Sequence, residues 1–302
     1  MIKLLSRIIE RLIFIMSVLF CDSNCELWHT KIKELGYNVI SMPYTIDNKE
    51  YYYDNGEKTD FKGFYDMVRE GKMPITSALN STNYYEIFEP FFKKGEEILY
   101  VSFSEKMSGT FNFMNQAVEE LKEKYPKAKF TRFDTKSISM GAGLQVYLAG
   151  KYFREGHTVE ETINYLKSIT DHVAALFMVD NLNHLKKGGR LSSSSAFFGS
   201  LLQIKPILKI NNEGSLAVYN KQKGVSKAVQ FMAEEVISKY RPIENCPITI
   251  VDADCLETAK KLEELIKAAL PDVEIWRQPV GPTIGTHCGP GTCGILFPSE
   301  SR

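Results

Sequence analysis

The stretch Glu97-Ile-Leu-Tyr-Val-Ser102 predicts a buried strand, because it is a short and continuous apolar run. It leads through the polar loop Phe103-Ser-Glu-Lys-Met-Ser-Gly-Thr110 into an amphipathic segment over 111–124, which predicts a helix. A strand, a loop and a helix in this order form the repeating unit of a parallel sheet covered by helices. The fold class that we predict for this part of the chain is therefore α/β.

The same unit occurs on both sides of this stretch. Upstream, residues 14–20 form an apolar run that ends in the turn Cys21-Asp22-Ser23-Asn24, and a helical pattern follows. Downstream, the run Lys129-Phe-Thr-Arg-Phe-Asp134 precedes two further helical patterns. We therefore expect an N-terminal α/β domain with a parallel sheet over residues 16–170, preceded by an N-terminal extension over residues 1–15.

The pattern of the chain changes past about residue 170. Strand patterns cover 173–179, 204–210, 216–219, 248–251 and 273–277, and helix patterns cover 225–239 and 256–269. This mixture predicts a second, α+β domain over residues 171–302. Within the first domain, the polar segment 44–62 is expected to form a hairpin or an excursion from the sheet.

Composition excludes several classes of protein. The chain has 302 residues, of which 44% are hydrophobic and 25% charged, so it is neither disordered nor a coiled coil. Its 37 basic and 37 acidic residues leave no basic excess for nucleic acid. The spacing of the six cysteines fits neither a disulfide framework nor a zinc site, and residues 1–20 are too charged for a membrane span. We expect a cytoplasmic protein with reduced thiols and no metal.

Hydroxyl side chains follow three of the predicted elements. They stand in the segments Asp22-Ser23, Thr76-Ser77, and Ser104 with Ser108-Gly109-Thr110, and the segment Thr76-Ser-Ala-Leu-Asn-Ser-Thr82 is expected to open a helix. Loops that open helices present N–H groups and favour anions. Each hydroxyl taken alone is more often a helix cap. Three such loops at one sheet favour a polar site for a small anion.

Two further segments carry candidate site residues. The first is the Gly/Pro-rich loop over residues 280–294, in which His287 lies between Thr286 and Cys288. Its glycines allow the backbone to approach a ligand closely. The second segment places Gly188-Gly189 before Arg190, which suits a tight turn that presents a cation. From spacing alone, a solvated basic turn remains the simpler interpretation of this second segment.

Motifs of several enzyme classes are absent from the sequence. There is no Gly-x-Gly-x-x-Gly after the first strand, no phosphate loop with its lysine, and no Gly-x-Ser-x-Gly elbow. Ser108 and His287 remain a conceivable hydrolase dyad, but no acid that would orient the histidine is evident.

Taken together, these segments resemble the DegV family of fatty-acid-binding proteins, the lipid-carrying subunits of bacterial fatty acid kinase. The resemblance extends in family order from about residue 16 to 298. The matching segments are Asp22-Ser23, Thr76-Ser77, Ser108-Gly-Thr110, Ser139-Met-Gly-Ala-Gly143, Leu185-Lys-Lys-Gly-Gly-Arg-Leu191, Ile204-Lys-Pro-Ile-Leu208 and Gly281-Pro-Thr-Ile-Gly-Thr-His-Cys-Gly-Pro-Gly291.

The resemblance implies two α/β domains with one long-chain fatty acid held between them. It implies that Thr76, Ser108 and His287 bind the carboxylate. The supporting loops would be those of Ser77, Ser104, Gly109, Thr110, Gly285 and Thr286. Arg190, with Gly188 and Gly189, is implied in docking to a separate ATP-binding kinase subunit. On this basis the chain itself would be no enzyme and would need no cofactor.

The chain departs from the family pattern at two positions near the expected site. The loop runs Thr76-Ser-Ala-Leu-Asn80, where the family usually continues with proline and serine, and Glu105 adds a negative charge near the expected carboxylate. Two other functions stay open at this point. One is a small-molecule esterase that uses Ser108 and His287, and the other is a lipid-sensing regulatory protein.

Overall fold

The computed structural model describes residues 17–180, 182–191 and 203–302. The expected N-terminal extension lies outside these residues, as does the serine run over 192–195. The strands, in chain order, are β1 Ser17–Asp22, β2 Asn38–Ile40, β3 Pro43–Ile46, β4 Lys49–Tyr52, β5 Ile75–Thr76, β6 Glu97–Ser102, β7 Lys129–Asp134, β8 Val173–Met178, β9 Ile204–Ile210, β10 Leu216–Lys223, β11 Ile248–Asp252, β12 Ile275–Pro279 and β13 Cys293–Pro298.

The helices alternate with these strands along much of the chain. Their bounds are α1 His29–Leu35, α2 Phe61–Arg69, α3 Ser81–Lys94, α4 Thr110–Lys124, α5 Met140–Arg154, α6 Val159–Ile169, α7 Asn183–Lys187, α8 Val225–Lys239, α9 Leu256–Ala269 and α10 Pro282–Cys288. Side chains that cap free backbone N–H groups mark where some of these helices begin. Thr158, for example, forms a capping box with Glu161 at the start of α6.

The first sheet is parallel, as the sequence pattern predicted. Its strand order is β2-β1-β6-β7, and β1 and β6 run side by side from the pair Ser17 and Glu97 to the pair Phe20 and Tyr100. All its strands therefore end at the same edge. The loops that follow β1 and β6 meet there, which is where an open α/β sheet binds its ligand.

A small antiparallel sheet, β4-β3-β5, lies beside the first one. Strands β3 and β4 form the hairpin predicted within residues 44–62. The segment over residues 76–82 was predicted to open a helix, and a helix begins at its end. Thr76 ends β5, where it pairs with Tyr44, and α3 begins only at Ser81 after the capping residue Asn80. Asn80 occupies the position at which the family usually has a serine, and its side chain accepts the Asn83 N–H as a helix cap.

The second sheet is mixed and has the strand order β10-β9-β8-β13-β11-β12. Its neighbouring strands are antiparallel except β11 and β12, which are parallel. The two sheets confirm the predicted fold class, an α/β unit with a parallel sheet followed by an α+β unit. The late strands do not join the first sheet.

Alternation along the strands of the second sheet separates two hydrophobic cores. On β8, Ala175 and Phe177 face the core around the first sheet, whereas Leu176 and Met178 face α8 and α9. Successive strand residues point to opposite faces, so one continuous apolar run serves both cores.

Helix α5 lies between the two sheets and contacts both. Its first turn carries small residues because the space is tight. A Cβ at Gly141 would meet the Ser137 hydroxyl, and a Cβ at Gly143 would meet the Cys25 carbonyl oxygen. The motif Ser139-Met-Gly-Ala-Gly143 thus serves helix packing.

The Gly/Pro-rich segment over residues 280–294 contains regular secondary structure and is not a simple loop. It contains α10, which starts with Pro282 at its first position, and a turn in which Gly289 and Gly291 have φ of +72° and +83°. It then enters β13, a wholly buried strand between β8 and β11 that the sequence analysis did not anticipate. His287 therefore stands on a short helix that packs against α7, α2 and the strands β3 and β5.

Candidate functional site

A cavity lies between the two sheets and is lined from both. Its volume is about 180 Å³. Its apolar lining consists of Met42, Phe103, Met107, Ile138, Phe177, Val179, Leu185, Leu208, Leu216, Val280 and Ile284. This volume corresponds to on the order of a dozen water molecules.

One part of the cavity wall is polar and carries most of the predicted head-group residues. Thr76, Ser77, Ser108, Gly109, Arg190 and His287 all line it. The Thr76 hydroxyl lies 2.8 Å from His287 Nε2. Because Thr76 belongs to β5 and His287 to α10, this hydrogen bond joins distant segments of the chain at the cavity wall.

His287 is held as a neutral imidazole. Burial, and then the charge of Arg190, lower its pKa from 6.5 to about 4. Its Nδ1 is buried and has no hydrogen-bond partner among the described residues. A Cβ at Gly188 would collide with this nitrogen, so a glycine at that position leaves room for the imidazole. The first glycine of the Lys-Gly-Gly-Arg motif therefore makes space for the His287 ring at the cavity wall.

Ser108 reaches the cavity from the loop that follows β6. The 3₁₀ turn Glu105–Met107 ends at Ser108, and the Ser108 Oγ accepts the backbone N–H of Thr110 at 3.2 Å. Glu105 turns to the outside, where Arg132 binds its carboxylate at 2.6 Å. The negative charge that departs from the family pattern is thus neutralised outside the cavity.

Arg190 lies half-buried at the same polar wall. Its Nε donates to the Met107 carbonyl at 3.1 Å and its Nη1 to the Gly188 carbonyl at 2.5 Å. Burial lowers the pKa of its guanidinium. Within the described part of the chain it forms no ion pair with a carboxylate. A half-buried cation of this kind favours an anionic ligand nearby.

Four of the predicted supporting residues hold the loops without lining the cavity. Ser104 donates to the Gly214 carbonyl at 2.8 Å, and Thr110 lies 2.8 Å from the Tyr84 hydroxyl. Thr286 bonds the Pro282 carbonyl within α10, and Gly285 packs closely on Tyr65.

Sequence reasoning missed several residues that line the cavity or support it. Asn24, Ser139, Thr283, Cys288 and Thr292 line its wall. Beneath the wall, the buried carboxyl of Glu26 accepts the Gly281 N–H at 2.5 Å and the Ser139 hydroxyl. Gly281 is the residue that precedes α10, so this carboxyl links the first sheet to the helix of His287.

The geometry gives little support to a hydrolase dyad of Ser108 and His287. The histidine bonds Thr76, and among the described residues no carboxylate contacts its Nδ1. A catalytic serine needs a base that is itself oriented by a third group. The arrangement instead supplies neutral hydroxyl and imidazole donors to a cavity with a mainly apolar lining.

Fold and site together define a two-domain α/β protein with an amphipathic cavity between its two sheets. The DegV family model matches residues 17–300. The chain belongs to the DegV family. A DegV domain-containing protein of Clostridium perfringens is 37% identical to it over 285 residues, which cover 94% of this chain and 98% of the relative.

Solved structures of family members share the fold. A fatty acid binding DegV family protein from Streptococcus agalactiae is 29% identical with a TM-score of 0.77, and the match covers 93% of this chain and 98% of that one. A DegV family protein from Thermus thermophilus, described by its fatty acid binding, is 25% identical with a TM-score of 0.82, covering 94% and 99%. These structural neighbours bind fatty acids.

Two further observations concern the described residues only. None of their helices combines the length and the apolar character that crossing a bilayer requires. No group of three or more histidine, cysteine, aspartate or glutamate side chains gathers there in a way that would hold a metal ion.

Proposed function

We propose that this protein binds one long-chain fatty acid in the cavity between its sheets. The observation that carries the proposal is the cavity itself, which is lined mainly by apolar side chains and also by Thr76, Ser108 and His287. The carboxylate would lie against the hydroxyls of Thr76 and Ser108 and the imidazole of His287. The fatty acid binding described for structural neighbours supports the same ligand class.

The free energy of binding a fatty acid would come from burial of its tail, and the lining residues can compensate for desolvation of its carboxylate. A buried methylene contributes roughly 0.8 kcal/mol, so a tail of about 14 methylenes offers on the order of 11 kcal/mol before the costs of association. A carboxylate taken out of water needs hydrogen bonds to keep that gain. Thr76, Ser108 and the neutral His287 supply donors for it, and Arg190 supplies a nearby positive charge.

We further propose that the bound fatty acid is presented to a separate kinase. In that reaction a carboxylate oxygen would attack the terminal phosphorus of ATP, and the bond to the bridging oxygen would break, so that acyl phosphate forms and ADP leaves with the electron pair. The lack of a phosphate loop in the sequence supports this division of labour. Because ATP is the co-substrate, the proposed compartment is the cytoplasm.

The direct experiment is organic extraction of the purified protein followed by mass spectrometry. We expect long-chain fatty acids at a stoichiometry near one per chain. Assays with chromogenic esters run beside it, and Ser108→Ala is their control variant. Ester turnover that disappears in Ser108→Ala, without extracted fatty acid, would replace the carrier proposal with an esterase.

Removing the head-group hydroxyls is expected to weaken fatty-acid binding. Thr76→Val keeps the side-chain shape and removes the hydroxyl, and Ser108→Ala removes its oxygen. Loss of a hydrogen bond to a charged group costs about 1.5–3 kcal/mol, so each variant should bind roughly 10- to 150-fold more weakly. Titration with a fluorescent fatty acid measures the effect. Unchanged affinity in both variants would exclude these hydroxyls from the head-group site.

The proposed role of Arg190 in kinase docking is tested by comparing two measurements, fatty-acid binding and phosphorylation of the bound fatty acid. Arg190→Ala should slow phosphorylation of the bound fatty acid by the kinase more than it weakens fatty-acid binding, since the substitution removes a cation from the rim while the tail contacts stay. Lys187→Ala, on the neighbouring helix, is the control variant. Equal loss in binding and in phosphorylation would assign Arg190 to the head-group site alone.

A further inference from the structure

A buried asparagine lines the cavity, and its side-chain oxygen has no hydrogen-bond partner. Asn24 belongs to the 3₁₀ turn Ser23–Cys25 that follows β1, and only 8% of its surface is exposed. It lines the cavity, and its Oδ1 is buried and unpaired among the described residues. A buried polar atom without a partner costs free energy, so its presence at a cavity wall indicates a ligand group that pairs with it.

The backbone of Asn24, and not its side chain, holds the turn in place. Its N–H donates to Asp22 Oδ1 at 3.0 Å, and its carbonyl oxygen accepts the Ser139 N–H at 3.0 Å. Both hydrogen bonds would survive a change of side chain. The local structure of the turn therefore does not explain why an amide stands at this position.

Other polar side chains at the wall are already paired within the protein. The Ser139 hydroxyl donates to a buried carboxyl, and the Thr292 hydroxyl donates to a backbone carbonyl at 2.9 Å. The Thr283 hydroxyl lies 3.5 Å from the Met42 carbonyl oxygen, at the limit of a hydrogen bond. Asn24 thus keeps its hydrogen-bonding capacity for a ligand, and Thr283 keeps part of its own.

Asn24 and Thr283 lie on either side of the same residue, Met42. The Met42 N–H donates to the hydroxyl of Ser23, the neighbour of Asn24, at 2.8 Å. Thr283 precedes His287 by one turn on α10, so the two side chains share a helix face about 5–6 Å apart. An extended chain advances roughly 1.2 Å per bond. A ligand group that meets Asn24 is therefore expected roughly four to six bonds from the carboxyl carbon.

We propose that the preferred ligand is a long-chain fatty acid with a hydroxyl group in the part of its chain near the carboxylate. This inference rests on the proposed function and narrows its ligand class. A hydroxyl both donates and accepts, so it pairs with either end of the Asn24 amide. A chain without this hydroxyl leaves the amide against methylene groups and away from water, which opposes binding. Asn24 is accordingly a residue that determines specificity.

The test compares acids of equal length on the full-length, lipid-free protein. Octadecanoic acid is titrated beside isomers that carry a hydroxyl on the fifth, sixth or seventh carbon. The best of these isomers should bind the unmodified protein roughly tenfold more tightly than octadecanoic acid, because it pairs a buried amide that the plain chain leaves unpaired. Displacement of a fluorescent fatty acid measures each affinity.

Asn24→Leu has nearly the same shape as the natural side chain and no polar atom. It should weaken the best hydroxy acid roughly tenfold and strengthen octadecanoic acid about threefold, so the two affinities move in opposite directions. General damage to the fold would weaken both. Asn24→Ala removes the amide without adding volume and should abolish the preference as well. Asn164→Leu, exposed on α6, is the matched control and should change neither affinity.

Two outcomes would overturn the proposal. One is equal affinity of the unmodified protein for octadecanoic acid and every hydroxy acid, as expected if a water molecule pairs with Asn24. The other is weaker binding of plain and hydroxylated acids alike by folded Asn24→Leu, which would assign Asn24 to the carboxylate. Failure of the unmodified protein to bind any of these acids would instead refute the proposed function.

Discussion

The free energy of unfolding is expected to fall as the pH rises from about 5 to 9, and Glu26→Gln should remove a large part of this fall. Glu26 is fully buried, and burial raises its pKa from 4.5 to about 8 despite hydrogen bonds from Ser139 and Gly281. Asp22 is buried as well, and burial raises its pKa from 3.8 to about 7 against the bonds from Phe103, Tyr100 and Asn24. Within the described residues neither carboxyl forms an ion pair.

The sign follows from proton binding. A carboxyl whose pKa is higher in the folded than in the unfolded state binds more protons when folded between the two values. Its contribution is complete below the unfolded pKa and is lost as the pH rises through the folded one. A tenfold change in proton affinity is worth about 1.4 kcal/mol, so the two carboxyls together lower stability by on the order of several kcal/mol across this window. The buried groups that face Glu26 are Tyr53, Tyr65 and Cys288, and none is a cation.

Glutamine at position 26 tests this account because it preserves shape and hydrogen bonding. Its amide oxygen can accept the Gly281 N–H and its amide nitrogen can donate to the Ser139 hydroxyl. We expect similar stability at pH 5 and higher stability than the unmodified protein at pH 9, measured by urea unfolding. Glu120→Gln, exposed on α4, is the control and should leave the pH dependence unchanged. A pH profile of Glu26→Gln identical to that of the unmodified protein would refute the assignment.

Sequence patterns predicted the parallel sheet well because its two central strands, β1 and β6, are short and mostly buried apolar runs. The prediction for Glu97–Ser102 agrees with the bounds of β6, and that for Lys129–Asp134 with β7. The segment over residues 280–294 was harder to predict. A helix of seven residues, α10, shows too little periodicity to be recognised, and its glycines and prolines resemble a loop. β13 begins within that segment, so its short apolar run was not recognised as a separate strand.

The site was only partly predictable, for a related reason. Hydroxyl chemistry indicated a polar site, and the family resemblance selected Thr76 and Ser108 within it. The contact of Thr76 with His287 joins residues far apart in the chain and depends on the docking of the two sheets. Glu26 and Asp22 gave no sign of being buried, because their environment comes entirely from tertiary structure. Gly188 is a comparable case, since its need for a glycine comes from the His287 ring.

Filling the apolar body of the cavity is expected to have the largest effect on ligand binding. Leu208 faces the cavity from β9, whereas its neighbour Ile207 faces the other core. Leu208→Trp would occupy the space of two to three methylenes of the tail, each worth roughly 0.8 kcal/mol, so affinity should fall on the order of 30-fold. Leu208→Met conserves volume and should bind within a factor of about three.

The measurements for this pair are the amount of fatty acid extracted from the purified variants and the affinity for added fatty acid, with circular dichroism and unfolding curves as controls for the fold. Shorter acids should recover affinity for Leu208→Trp, because a tail shortened by a few carbons avoids the indole. That recovery separates a filled cavity from a damaged fold, which would weaken all chain lengths alike. If Leu208→Trp retains full affinity for the longest acids while remaining folded, the acyl tail does not pass between β9 and the first sheet, and the cavity between the sheets is not the lipid site.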